Sequence, residues 1–194
     1  MNVITQNAIA ETVVKNSRFI AELITVNSQS EARDKLKEQK LKYSDATHVV
    51  HAFVVGKAGE VNGMSDDGEP SGTAGRPVLD VLKGSGITNV LLTVTRYFGG
   101  TLLGTGGLVH AYGDSAKTVL AVCQTEPLVE KKDFSFTASY SLYKDIKHFF
   151  PEFHIDSLNE EYGTQVTASG RIHESEYKSF AERIFSLSNG QLSI

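Results

Sequence analysis

Residues 65–116 read SDDGEPSGTAGRPVLDVLKGSGITNVLLTVTRYFGGTLLGTGGLVHAYGDSA, and this stretch decides the fold. Two glycine-rich loops each run into a helical pattern, with a strand pattern between them. Asn89 to Thr95 is almost wholly apolar or β-branched, which predicts a central strand buried on both faces. Arg96 and Tyr97 stand where that strand ends. Gly99, Gly100, Gly104, Gly106 and Gly107 then crowd one short turn. Such a density implies positive φ angles, or a backbone brought close to a ligand or to another part of the chain.

Outward from that stretch the chain alternates strands and helices. Ala10–Lys15 and Arg18–Val26 read as extended segments joined at Asn16-Ser17, the second apolar on both faces. Ser28 or Ser30 can cap a helix running to about Leu41. His48–Val55 and Glu60–Met64 form a predicted hairpin. His48 and His51 differ in parity and so face opposite sides, which argues against a shared metal. A helix from about Thr105 to Val122 carries Leu108, Val109, Tyr112, Ala116, Val119 and Leu120 at helical spacing. Thr125–Val129 can add a last strand. The charged run Glu130–Asp133 marks a domain boundary, giving domains 1–132 and 133–194.

The second domain has the cleaner pattern. Phe134, Phe136, Ala138 and Tyr140 alternate with small polar residues, as in a half-buried strand. A short helix ends at Pro151, two strands flank Gly163, and a helical stripe stops at Asn189-Gly190. Gln191–Ile194 can close the sheet. That order is βαββαβ, the ferredoxin-like plan, so the whole is an α+β chain.

Composition narrows function. The 194 residues carry a net charge of −4, with 22% charged and 40% hydrophobic residues, ordinary for a globular protein. Residues 1–132 are balanced, with 14 basic and 14 acidic side chains. Residues 133–194 hold 5 and 9 and account for the excess. A polyanion site therefore belongs in the first domain. One cysteine, Cys123, excludes an internal disulfide and suits a reducing cytoplasm. No signal peptide and no apolar run near ~20 residues is evident.

Several groups can carry chemistry. The predicted 28–41 helix and its end supply Arg33, Lys35, Lys37, Lys40 and Lys42, a candidate phosphate-contacting patch. Asp66, Asp67 and Glu69 can hold a hard cation, or simply shape an Asp-Gly turn before a helix capped by Ser71 or Thr73 with Pro77 in its first turn. Thr105, Gly106 and Gly107 open a helix N-terminus that favours an anion, with Arg96 as a possible bidentate clamp. No P-loop follows, and no nucleophile–base–orienter spacing is recognisable among Ser65, Ser71, Thr105 and His110.

SDDGEPSGTAGRP at 65–77, TRYFGG at 95–100 and LGTGGLVHAY at 103–112 resemble the signature of the YigZ/IMPACT family. SRFIA at 17–21 and DATH at 45–48 extend the likeness. Within that signature stand Ser65, Asp66, Asp67, Glu69, Ser71, Thr73, Arg76 and Tyr97; His110 departs from an Arg found in many members. The resemblance implies a first domain like domain IV of elongation factor G and a small-subunit ribosomal protein. It implies a second domain like that factor's ferredoxin-like domain V. Eukaryotic members regulate translation initiation by competing for a kinase activator. Bacteria lack that kinase pathway, so only an association with translation carries over.

The expected function is therefore a non-catalytic, translation-associated regulator. It is expected to be a cytoplasmic monomer without a cofactor. Its partner would be RNA, the ribosome or a translation-regulatory protein, and no membrane. About four phosphates neutralised by the helix cations would give a log–log salt slope of about −3 on single-stranded RNA. The alternatives are a metal-assisted hydrolase built on Asp66, Asp67, Glu69 and Arg96, and a protein-interaction module.

Overall fold

A computed structural model describes residues 1–194 and divides them into two compact units, Met1–Leu128 and Val129–Ile194. The whole is a mixed α/β architecture of ten strands and five helices.

Unit 1 contains β1 (Asn2–Ile4), β2 (Ala8–Val14), β3 (Ser17–Thr25), α1 (Gln29–Lys42), β4 (His48–Val55), β5 (Val61–Ser65), α2 (Gly75–Gly84), β6 (Val90–Tyr97), α3 (Gly104–Val122) and β7 (Thr125–Pro127). Five strands form one antiparallel sheet in the order β2-β3-β6-β4-β5. The apolar run at 90–97 occupies the middle, as its two-faced hydrophobicity requires. Val90, Leu92 and Val94 point into a core with α2 and α3, including Val78, Leu82, Leu108, Tyr112 and Val119. Leu91 points the other way, to α1, with Ile24, Val26, Ala32, Phe53 and Val55. Burying each such side chain stabilises by roughly 1.5–3 kcal/mol.

α1 has a thin apolar stripe because part of what it covers is polar. Its buried Gln39 reaches toward Glu22, in a cross-strand row where Glu22 pairs with Thr93 and Thr93 with His51. Ser28 caps α1, its Oγ accepting from the Glu31 N–H. The hairpin joining β2 and β3 turns at Lys15-Asn16, both at positive φ, one residue earlier than the sequence suggests.

The strand expected near Thr125 is present as β7, whereas the expected cap of α2 changes. The strand near Thr125 does not join the main sheet: β7 pairs with β1 in a separate two-stranded ribbon. Nor do Ser71 or Thr73 cap α2. Asp66 does so from a distance, its carboxylate accepting from the N–H groups of Gly72 (2.8 Å), Ala74 (3.0 Å) and Gly75 (2.8 Å). Thr73 instead donates its hydroxyl to the Pro70 carbonyl. The short polar side chains nearest the helix start are outcompeted by a carboxylate that meets the two orphan donors of Ala74 and Gly75, and the Gly72 N–H of the preceding loop, at once.

Unit 2 contains β8 (Lys131–Ala138), α4 (Tyr140–His148), a 3-10 turn at Phe150–Glu152, β9 (Ile155–Tyr162), β10 (Val166–His173) and α5 (Glu174–Leu187). The antiparallel order is β8-β10-β9. The inward residues Phe134, Phe136, Ala138, Val166, Ala168 and Ile172 meet Ile146, Phe150, Phe180 and Ile184 in one aromatic-rich core. Gln191–Ile194 form no strand, so the closing strand of a βαββαβ plan is absent. Lys131–Asp133 belong to β8 rather than to a linker, since their backbone pairs with Arg171–His173 while the charges face solvent.

Candidate functional site in unit 1

The two glycine-rich loops and the end of β6 line one cleft of about 450 Å³. Loop 65–75 enters from β5. Asp67 and Gly68 hold its turn at φ values of +47° and +88°, and the Glu69 N–H closes it on the Asp66 carbonyl. Gly99 lets the second loop pass the β2–β3 hairpin. A Cβ there would lie 2.0 Å from the Asn16 carbonyl carbon, so no other residue fits without backbone movement.

The turn aims Glu69 inward, where 3% of its side chain is exposed. Its Oε1 accepts from Arg96 Nη1 at 2.6 Å and from the Tyr112 hydroxyl at 2.7 Å. Arg96 Nη2 reaches Ser17 Oγ at 3.4 Å, and the guanidinium lies between the rings of Phe19 and Phe98, 5.6 Å from each centroid. Burial, reinforced by the Glu69 carboxylate, pushes the Tyr112 hydroxyl far above the ordinary phenol range. His48 Nδ1 lies 2.7 Å from the Asp67 carbonyl, which can only accept, so Nδ1 carries the proton. Its Nε2 lies 3.8 Å from Glu69 Oε1.

The structure therefore corrects the anion clamp. Arg96 is buried and its charge is taken by Glu69, so it is not an exposed fork awaiting a ligand. It corrects the cation loop as well. Asp66 is committed to three backbone N–H groups, Asp67 to the Val49 N–H (2.7 Å) and Lys40, and Glu69 to Arg96 and Tyr112. Three carboxylates close in sequence point to three different partners, and no shared ligand sphere forms. Burial by itself would raise the Asp66 carboxyl, but its three backbone donors outweigh that and hold it below the usual carboxylate range. Asp67 is lowered too: burial opposes, and Lys40 and the Val49 N–H prevail.

The lysine patch is neutralised. Lys35 pairs with Glu38, Lys37 with Asp34, Lys42 with Glu22 and Lys40 with Asp67, while Arg33 is exposed. Of the remaining signature residues, Ser65 accepts the Asp67 N–H, Arg76 pairs with Asp80 on the surface of α2, and the Tyr97 hydroxyl donates to Asp45. Ser71 is exposed. Thr105 and Gly106 are exposed and Gly107 half-buried at the start of α3, where no side chain caps the helix.

Sequence reasoning did not find the apolar lips of the cleft. Phe98 is 46% exposed and Leu102 83% exposed, beside Pro70, Leu103 and Leu108. The hydroxyl of Tyr112 was also hidden, because its position in the apolar stripe of α3 explains the ring alone.

Comparison with known proteins agrees with these residues. A model described as the Impact N-terminal domain matches residues 15–120, and one described as a domain of unknown function (DUF1949) matches 136–191. An IMPACT family member of Haemophilus influenzae is 33% identical over 95% of this chain and 90% of its own length. IMPACT family member YvyE of Bacillus subtilis is 35% identical over 95% of this chain and 85% of its own. A crystal structure described as that of a hypothetical protein superposes with a TM-score of 0.71 at 29% identity, covering 100% of this chain and 96% of the other. With both domain models matched in order and relatives alike over nearly their full length, this chain belongs to the IMPACT family.

Proposed function

We propose that this protein is a non-catalytic, translation-associated regulator that binds a component of the translation machinery through the cleft of unit 1. The observation that carries this reading is that Asp66, Asp67, Glu69 and Arg96 are all spent on partners inside the fold. What faces outward is an apolar rim, Phe98 and Leu102, beside the uncapped N-terminus of α3. Such an exposed apolar surface suits recognition of a partner. The hydrolase alternative loses its acids by the same observation.

The link to translation comes from the family, whose eukaryotic members regulate initiation. The likeness of unit 1 to domain IV of elongation factor G, and of unit 2 to domain V, belongs to the same reading. Within it, the apolar lips favour the ribosome or a translation-regulatory protein over free RNA. The paired lysines leave few free cations for phosphates.

Cosedimentation with purified ribosomes tests this. One phosphate contact weakens binding about threefold between about 50 and 200 mM salt, whereas four weaken it about fiftyfold. The shallow dependence is expected. A fiftyfold loss would shift the interface to the α1 cations, and no cosedimentation at either salt would remove the ribosome as partner.

A further inference from the structure

In unit 2 the register between β9 and β10 pairs Ile155 with Ile172, which sets His154 opposite His173. The His173 N–H points to the His154 carbonyl at 3.4 Å. Side chains directly opposite on neighbouring strands lie close enough to touch. Here the imidazole rings lie parallel, with centroids 4.6 Å apart. His173 is also the N-cap of α5, so Glu176, three residues on, comes round to the same side one turn later. Glu176 reaches across to His154, just before β9: Oε2 accepts the His154 N–H and Oε1 lies 2.8 Å from His154 Nδ1. One ligand atom from each of the three side chains falls within 4.8 Å of the others.

We propose that His154, His173 and Glu176 form a surface site for a borderline divalent transition-metal ion, with Zn²⁺ as the type. Two imidazole nitrogens and one carboxylate oxygen are the donors that Zn²⁺ takes at about 2.0–2.2 Å. Nitrogen donors select it over Mg²⁺ and Ca²⁺, which prefer all-oxygen spheres. Nitrogens sharing a tetrahedral ion lie roughly 3–3.5 Å apart, so the widest pair in the cluster closes by about 1.5 Å on binding. His154 can make that movement, since 71% of its side chain is exposed. Water completes the sphere. The ion would clip the start of β9 and the end of β10 to the first turn of α5. This site is independent of the unit 1 cleft and neither supports nor needs the reading of that cleft.

The test is calorimetric titration of Zn²⁺ into the full-length, tag-free, chelator-stripped protein. One ion per chain is expected, with affinity falling roughly tenfold or more in His154→Ala and in His173→Ala. His110→Ala, on the exposed surface of α3, should bind as the parent does. Neither ligand histidine belongs to the core of unit 2, so far-UV circular dichroism should be unchanged. His173→Gln retains a polar residue at the helix start should the alanine variant unfold. Equal binding by parent and His154→Ala/His173→Ala, or no Zn²⁺ uptake by the parent, would overturn the assignment.

Discussion

Replacing Arg96 by Met is expected to destabilise unit 1 by about 3–5 kcal/mol, read as a lower urea midpoint with an unchanged slope. Removal of the guanidinium strands the charge of Glu69, whose side chain is only 3% exposed. The ion pair need not itself be strongly stabilising; the cost comes from leaving one buried charge alone. The double change Arg96→Met with Glu69→Leu should therefore recover much of the loss, because both charges disappear. Tyr112 would then be the group left without its acceptor, so Tyr112→Phe in that background should cost little or nothing. A single Arg96→Met variant within 1 kcal/mol of the parent would show that water reaches Glu69.

Asp66→Ala should cost about 2 kcal/mol at neutral pH, since one charged acceptor satisfies two backbone donors at the start of α2 and a third in the loop before it. The pH dependence has a definite sign. The Asp66 carboxyl is held below its unfolded value, so its contribution is complete above an unfolded pKa of about 3.9. It is lost as the pH falls through the lower folded value. The difference between Asp66→Ala and the parent should thus shrink on acidification below about pH 4. Urea midpoints at pH 7 and near pH 3 measure it, and an equal difference at both would refute the remote cap. Asp66→Asn, which keeps an acceptor, should fall between the two.

Much of the fold is legible in the sequence wherever the deciding information is local. The run at 90–97 announces a two-faced strand, and the alternation at Phe134–Ala138 a one-faced strand. Asp67-Gly68 specifies its own turn. The unread parts depend on partners far along the chain. Three residues at each end of unit 1 pair as β1 and β7, too short for any periodic pattern. The α2 cap lies eight or nine residues upstream of the N–H groups it serves, while Ser71 and Thr73 stand in the expected places. The cations of α1 look like a patch because Glu22 and Asp67, which take Lys42 and Lys40, arrive from other elements. Arg96 reads as a clamp until Glu69, 27 residues away, is seen to fill it. In unit 2 the expected fourth strand does not form: Gln191–Ile194 alternates as a strand would, but Leu192 and Ile194 pack against the core without strand pairing.

On the function proposed above, the cleft and not the charged helix is the binding surface. Ribosome cosedimentation of two variants tests it most directly. Leu102→Glu puts a charge on the most exposed apolar lip without touching the buried Glu69–Arg96 pair. It should weaken binding by roughly tenfold or more, as loss of an apolar anchor does. Arg33→Glu/Lys35→Glu/Lys37→Glu reverses the exposed side of α1 without disturbing Lys40 and its Asp67 partner. It should bind within about twofold of the parent, because few phosphates are engaged. Retained binding by Leu102→Glu together with loss in the α1 variant would move the interface from the cleft to α1.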